Sequence, residues 1–334
     1  MMFSISLWFL FVSLTFQSPP FKRLFTIVLE NEGIVKTLNH PYFNKTLASK
    51  GRLLTNYYAV THPSQPNYIS MISGSTFGVH TDFDYNLDGQ TIVDRLEERS
   101  IGWKSYQEDY PGNCFLGSTY GRYARKHNPF LSFTSISHNA SRCAHIVNSM
   151  QLYLDMQSGN LPEYIFYTPT LDNDGHDTSL DYIAGWLDPF LNELLNSGSF
   201  DDTLFIITFD EDEGHITIPH DGTRDENDEA YESYRYRPRK KHHGHHRYGY
   251  TREDNVEFSD LEHRKRKTRS SRAKHHLELV STNQVYALLI GPGMTPGSTD
   301  NNEYSHYSHI ATIEKYWGVT SLYKNDKNAN PFHM

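Results

Sequence analysis

Two short apolar runs that end abruptly in acidic residues constrain the fold more than any other feature of this chain. Leu24 to Leu29 reads LFTIVL and is followed by the acidic stretch Glu30 to Gly33. Leu204 to Phe209 reads LFIITF and is followed by the acidic stretch Asp210 to Glu213. Short runs rich in β-branched and aromatic residues are typical of strands buried on both faces. Such strands lie in parallel sheets covered by helices, so the sequence predicts an α/β fold.

The rest of the chain alternates between strand and helix patterns. Further strands are predicted at Trp103–Gln107, Tyr164–Thr168 and Val285–Ile290, and helices at Thr91–Arg99, Tyr182–Leu195 and His306–Tyr316. With 334 residues, of which 37% are hydrophobic, the chain can bury a sizeable core. We expect a mixed, largely parallel sheet flanked by helices, with ligands bound beyond the carboxyl ends of its strands.

Residues 219–274 interrupt this pattern, because they have almost no apolar periodicity and pass from acidic to basic. We interpret them as a disordered insertion between two strands. The segment KKHHGHH, Lys240 to His246, suits transition metals, and HRKRKTRSSR, His263 to Arg272, suits a polyanion or an anionic membrane surface. A solvated loop without a partner is the alternative. The net charge of -9 gives no footprint for nucleic acid.

The N-terminus predicts entry into the secretory pathway. Ile5 to Phe16 is an apolar run too short to span a bilayer comfortably, which predicts a signal peptide at 1–18. A signal anchor is the alternative. The globular domain is then expected at 22–334, in a secreted or lumenal protein.

Two further features fit that compartment. Cys114 and Cys143 are the only cysteines, and they could form one disulfide, with two free thiols as the alternative. Asn44 and Asn139 each begin a glycosylation sequon.

The acids at the two strand ends are candidates for a metal site. Glu30 and Asn31 offer oxygen ligands that suit a hard cation or zinc. Alternatively, Asn31 could cap a helix that follows, with Glu32 as its first-turn acid. Asp210 and Glu211 belong to a run of four acids, which is costly to bury unless it is solvated or bound to a metal.

A serine and two histidines complete the set of candidates. Ser64 lies between Pro63 and Pro66, just ahead of a helical run, so it either caps the helix or acts as a nucleophile toward an anion bound there. His176 lies in LDNDGHD, which is a tight turn or a phosphate contact. His306 opens the last helix, where it could face a site or solvent. Metal, serine and histidine together suit phosphoryl transfer to a serine.

At these residues the chain resembles the acid phosphatase and phospholipase C-type phosphoesterases, a branch of the alkaline-phosphatase-like superfamily. The matching pieces follow the family's order and are Glu30-Asn31, THPSQPNY followed by SGS, NDGHD, FDEDEG, VYALLIGPG and YSHYSHIATIEKYWG. The segment KHNPF, Lys126 to Phe130, is also similar to the family. The resemblance spans about Leu24 to Gly318, apart from the insertion.

The resemblance implies an alkaline-phosphatase-like fold and a role for each matched residue. Ser64 falls on the nucleophile, which forms a phosphoserine that water then hydrolyses. The implied ligands of one divalent metal ion are Glu30, Asn31, Asp210 and Glu211. His176 and His306 fall on histidines that contact the phosphate or assist the leaving group, and Asn67 falls on a phosphate contact. No role follows for His62.

We therefore expect a secreted, metal-dependent phosphomonoesterase whose partner is a phosphate ester and not a nucleic acid. A phospholipase C-like phosphodiesterase is one alternative. A non-catalytic binding protein that works through its basic insertion is another. The chain is short for the phospholipase C branch, which favours the phosphatase branch.

Overall fold

We describe a computed structural model of the chain over residues 20–213, 218–219, 277–278 and 282–334. The predicted signal peptide at 1–18 lies outside these residues. Apart from Pro219, so does the predicted insertion at 219–274, with its candidate metal and polyanion segments.

The chain divides into two compact units. One unit comprises Met1–His215 and Ser281–Met334, and the other comprises Ile216–Val280. In the second unit the described residues form one short antiparallel pair, Ile218–Pro219 with Leu277–Glu278.

An eight-stranded sheet forms the centre of the first unit. In spatial order its strands are Ser298–Asp300 (β13), Arg52–Leu54 (β2), Ala287–Ile290 (β12), Thr203–Phe209 (β9), Arg23–Leu29 (β1), Tyr164–Thr168 (β8), Trp103–Gln107 (β4) and Ile146–Asn148 (β7). Six further strands occur only in pairs, namely Tyr57–Tyr58 (β3), Thr119–Tyr120 (β5), Tyr123–Ala124 (β6), Ile218–Pro219 (β10), Leu277–Glu278 (β11) and Tyr304–Ser305 (β14).

The middle of the sheet is parallel and wholly buried. Strand β1 pairs in parallel with both β8 and β9, and β4 pairs in parallel with β7 and β8. Every residue of β1, β8 and β9 is buried, which explains their continuous apolar runs. The predicted α/β fold with a largely parallel sheet is confirmed.

Strand β12 runs antiparallel to β9, against the direction of the central strands. The residues that follow β9 and the residues that precede β12 are hydrogen-bonded to each other at the same edge of the sheet. There the Asp212 N–H donates to Asn283 Oδ1 and the Asn283 N–H donates to Asp212 Oδ2, both at 3.0 Å. A strand that starts at this edge must run back toward the other one. It begins at Ala287, two residues after its predicted start, because Val285 forms only an isolated bridge with Gly33.

Helices flank the sheet in the described ranges. They are Ile34–Asn39 (α1), Ser64–Ser73 (α2), Ile92–Glu98 (α3), Thr134–Ser137 (α4), Ala140–Cys143 (α5), Met150–Ser158 (α6), Leu180–Asn196 (α7) and Ser308–Trp317 (α8). The helices predicted around α3, α7 and α8 are present, with ends shifted by one or two residues. Among the described residues, no helix has the length and apolar character needed to cross a membrane.

Helix α2 lies inside the protein, and all ten of its residues are buried. It packs against α8 and against two short 3-10 helices, Arg125–His127 and Pro129–Ser132. The hydroxyls of two of its buried serines are satisfied within the helix, since Ser70 donates to the carbonyl of Asn67 and Ser73 donates to that of Ile69. A helix enclosed in this way holds its first residue in a fixed position.

Cys114 and Cys143 are joined by a disulfide that links α5 to the loop before β5. Cys143 is buried, and its partner packs against the core. Asn44 and Asn139 are both exposed, as glycosylated asparagines must be. Glycosylation and secretion themselves stay predictions.

The side chain of Glu314, in α8, links this helix to the C-terminal segment. Glu314 accepts the N–H of Leu322 at 3.1 Å and is hydrogen-bonded to Asp326. Burial, followed by the hydrogen bond with Asp326 and its charge, raises the pKa of Glu314 from its ordinary value of 4.5 to about 7.

This raised pKa makes the stability of the protein depend on pH. Between pH 4.5 and 7 the folded protein holds a proton that the unfolded chain releases, so we expect the free energy of unfolding to fall as the pH rises. Asp326 does not reverse this, because its pKa is lowered from 3.8 and its contribution is lost only at more acidic pH. Glu314→Gln should lose less stability across this window in thermal melts. The exposed Glu303→Gln serves as the control, and identical profiles for wild type and Glu314→Gln would contradict the prediction.

Candidate active site

Three neighbouring strands bring acidic residues to one edge of the sheet. The acids are Glu30 after β1, Asp210 and Glu211 after β9, and Asp174 after β8. The Asn31 N–H donates to Asp210 Oδ1 at 3.2 Å, and the Glu30 N–H donates to the carbonyl of Asp174 at 2.8 Å. These bonds fix the three strand ends against one another. The sequence-predicted acids Glu30, Asp210 and Glu211 therefore lie in one cluster.

Ser64 is the first residue of α2, and its hydroxyl faces this cluster. Its Oγ lies 3.1 Å from Glu30 Oε2 and 3.3 Å from Glu211 Oε1, with both contacts buried. The hydroxyl makes no capping bond to the helix, so the alternative that Ser64 caps α2 is wrong. Asp82 takes the place of a cap, because its Oδ1 accepts the N–H of Gln65 at 3.0 Å.

Asn67, predicted to contact the phosphate, is engaged by the loop before α2. Its Oδ1 accepts the N–H groups of Val60 and Thr61, and its Nδ2 donates to the carbonyl of Thr61 at 2.7 Å. A second, longer bond from Nδ2 reaches the carbonyl of Pro63. With both ends of the amide occupied and buried, the structure gives Asn67 a different task from the predicted one. It holds the loop that leads into Ser64.

The carboxylates at the centre of the site are buried together. Burial, and then the charges of Asp210 and Asp174, raise the pKa of Glu30 well above its ordinary value. Burial and the charge of Glu211 do the same to Asp210, and burial raises the pKa of Glu211. The charge of Lys126 opposes each of these shifts without cancelling any of them. The cluster is therefore short of positive charge.

The donor set fits a divalent cation. Asp210 Oδ2 is buried and has no hydrogen-bond partner among the described residues, as expected of an atom that serves a metal. Carboxylate and hydroxyl oxygens from Glu30, Glu211 and Ser64 point to the same place. Asn31 has a left-handed backbone with φ of 60°, which asparagine tolerates better than most residues. Its side chain as a ligand stays a prediction.

A second group could also hold a metal ion. Ligand atoms of Glu30, His127 and His176 lie within 4.8 Å of one another. However, His176 Nε2 already lies 3.1 Å from the ammonium nitrogen of Lys126, which is a donor only. As arranged here, that nitrogen has no lone pair left for a metal. The oxygen-rich group around Ser64 therefore fits a cation better.

His176 lies at the site, where the sequence predicted it. Because Lys126 donates to Nε2, the ring proton is on Nδ1 and is donated to Asp177 Oδ1 at 2.8 Å. Asp177 is held in turn by Arg122 at 2.6 Å. Burial and the charge of Lys126 lower the pKa of His176. This arrangement sets the tautomer and orientation of the imidazole.

His306 contacts the backbone of Asp210 instead of the predicted phosphate or leaving group. It is fully buried, its Nε2 donates to the carbonyl of Asp210 at 2.5 Å, and its Nδ1 accepts from Tyr57 Oη at 2.9 Å. Burial lowers its pKa to about 4, so the ring is neutral. Neither nitrogen is left for a phosphate or a leaving group. The predicted contact is corrected to a positioning role, in which His306 holds the end of β9.

His62, which had no predicted role, orients a carboxylate of the cluster. Its Nδ1 lies 2.6 Å from Glu211 Oε2, and its Nε2 lies 3.5 Å from Asp212 Oδ1. The bond leaves Glu211 Oε1 facing Ser64. Carboxylates that bind metal ions are usually held by hydrogen bonds to neighbouring residues, and His62 would supply such a bond if Glu211 is a ligand.

Sequence patterns assigned no role to three further residues of the site, Asp82, Lys126 and His127. His127 lies 3.2 Å from both Glu30 Oε1 and Asp174 Oδ2, and it stacks on Tyr68. The basic pair of KHNPF was the available signal for Lys126 and His127. This pair does not directly follow a predicted strand, so nothing in the sequence placed it near the acids. Asp82 lies in a loop that shows no recognisable pattern.

Comparison with known proteins agrees with the family resemblance seen in the sequence. A model of the Phosphoesterase family matches residues 37–320. The phosphate-repressible acid phosphatase of Penicillium chrysogenum is 31% identical over 325 residues, which are 94% of this chain and 63% of that protein. An acid phosphatase of Aspergillus niger is 32% identical, covering 93% of this chain and 62% of its own length. The chain thus spans less than two thirds of these relatives.

A bacterial relative and a solved structure extend the comparison. The phosphatidylinositol-3-phosphatase of Mycobacterium tuberculosis is 31% identical over 205 residues, covering 59% of this chain and 65% of that protein. A protein of the alkaline phosphatase superfamily from Vibrio parahaemolyticus superimposes with a TM-score of 0.51 at 13% identity, over 95% of this chain and 72% of that one. The predicted alkaline-phosphatase-like fold is confirmed.

Proposed function

The chain belongs to the Phosphoesterase family, and we propose that it hydrolyses phosphate monoesters through a phosphoserine at Ser64. The observation that carries this proposal is the position of the Ser64 hydroxyl, between two buried carboxylates at the first residue of an enclosed helix. Monoesters are favoured because the relatives are named acid phosphatases and a phosphatidylinositol-3-phosphatase.

In the first step Ser64 Oγ attacks phosphorus, and the bond between phosphorus and the ester oxygen breaks. The serine proton passes to Glu30 or Glu211, the two carboxylates that accept its hydrogen bond. The leaving oxygen takes its proton from a water molecule, which becomes the hydroxide of the second step, while Lys126, held beside His176 and Asp82, keeps its charge. A divalent ion held by Glu30, Asn31, Asp210 and Glu211 would make the serine more acidic and offset the phosphoryl charge.

In the second step that hydroxide attacks the phosphoserine, and the protonated glutamate returns its proton to Ser64 Oγ as the phosphorus–oxygen bond breaks. The products are the alcohol and inorganic phosphate, and the protein returns to its starting state. Helix α2 contributes its N-terminal dipole, which favours the phosphoryl charge beside Ser64.

Hydrolysis of p-nitrophenyl phosphate by the full chain tests the proposal. We expect activity that a chelator abolishes and a divalent ion restores, with magnesium, manganese and zinc each tried. Bis(p-nitrophenyl) phosphate and phosphatidylcholine should be poorer substrates, whereas preference for either would favour the phosphodiesterase alternative. Activity that survives full metal removal, or no hydrolysis of any ester by folded metal-loaded protein, would contradict the proposal.

A further inference from the structure

A rim of partly exposed polar side chains stands over the buried carboxylates. Lys126, Asp82, His176 and His62 expose 20%, 31%, 29% and 31% of their side chains. Glu30 and Asp210, in contrast, are fully buried. A substrate that reaches Ser64 from solvent therefore meets the rim first.

Lys126 is the permanently charged cation of this rim. Its ammonium nitrogen lies 3.0 Å from Asp82 Oδ2 and 3.1 Å from His176 Nε2. Within the described residues these are its only two hydrogen bonds, so one of its three N–H groups is left for a ligand.

Lys126 is also tied to the nucleophile. Asp82 receives the lysine ammonium on Oδ2 and the N–H of Gln65 on Oδ1. Gln65 is the residue after Ser64 in the first turn of α2. Asp82 thus holds the cation in register with the helix N-terminus that presents the serine.

We propose that Lys126 binds a non-bridging phosphoryl oxygen of the substrate and makes the site selective for dianionic monoesters over monoanionic diesters. This inference rests on the proposed function. A point charge interacts with a ligand in proportion to the ligand's charge, so a lysine at this place favours a dianion about twice as much in free energy as a monoanion.

The test compares Lys126→Met with wild type on p-nitrophenyl phosphate and on methyl p-nitrophenyl phosphate, at a pH where the monoester is a dianion. Loss of one charge-assisted hydrogen bond should lower kcat/KM for the monoester by about 10- to 150-fold. Loss for the diester should be roughly the square root of that factor, because its charge is half as large. Lys126→Arg, which keeps the charge, should recover part of the discrimination.

Lys36→Met is the matched control, since Lys36 pairs with Glu32 near the same edge of the sheet but is 54% exposed. It should change neither substrate's kcat/KM, and thermal melts should show that both variants fold. Equal losses on the two esters, or no loss, would overturn the selectivity assigned to Lys126.

A binding measurement separates this inference from the proposed function. Titration calorimetry of metal-loaded protein with inorganic phosphate needs no turnover. If wild type hydrolyses no ester, the proposed function is overturned. Weaker phosphate binding by Lys126→Met would still support the subsite in that case. Unchanged phosphate binding in that case would overturn the subsite as well.

Discussion

Ser64→Ala should lower kcat/KM for p-nitrophenyl phosphate by at least about a thousandfold, because it removes the attacking oxygen and leaves nothing in its place. The variant should remain folded, since the hydroxyl makes no bond that holds α2. Its remaining contacts are with carboxylates that other residues already position. Steady-state kinetics with metal-loaded protein measures the loss.

Ser70→Ala is the matched control for this experiment. Ser70 is buried in the same helix, but its hydroxyl bonds the carbonyl of Asn67 and takes no part in the cluster. We expect its activity to stay within a few-fold of wild type. Acid-quenched wild type should also yield a phosphorylated peptide that contains Ser64. Ser64→Ala with near wild-type activity, or phosphate found on another residue, would end the case for this nucleophile.

Asp210→Asn should produce opposite effects on activity and on metal-free stability. The substitution removes a charge from the proposed metal site, and since a metal ion stabilises transition-state charge by several kcal/mol, activity should fall by at least about a hundredfold. In metal-free protein the same change relieves repulsion between buried carboxylates, so the melting temperature should rise. The added stabilisation that wild type gains from the metal should then be reduced in the variant.

Thermal melts with and without chelator and with added divalent ion measure both effects. Glu32→Gln is the control, because Glu32 lies two residues after Glu30 but pairs with Lys36. It should keep the metal-induced rise in melting temperature. If Asp210→Asn keeps the full rise and full activity, Asp210 is not a metal ligand.

Local patterns were enough for much of the architecture. The central strands are buried on both faces, so their apolar runs stand out in the sequence and their ends fall within one residue of prediction. The direction of β12 could not be predicted, because it depends on the tie between Asp212 and Asn283, 71 residues apart. The candidate site was predictable in part for the same reason. Acids that directly follow buried parallel strands have to meet at one edge of the sheet.

The sequence by itself determined the α/β fold, the acids at the strand ends and a serine at a helix start. Only the tertiary structure decided how side chains far apart in the chain are used. In the folded chain His306 is hydrogen-bonded to the backbone of Asp210, and Asn67 is hydrogen-bonded to a loop. Lys126 lies beside His176. The physical reason is the distance along the chain between the residues that determine each feature. Strand and helix signals arise from neighbours a few residues apart, whereas a side chain's hydrogen-bond partners depend on strand register and on how an enclosed helix is packed.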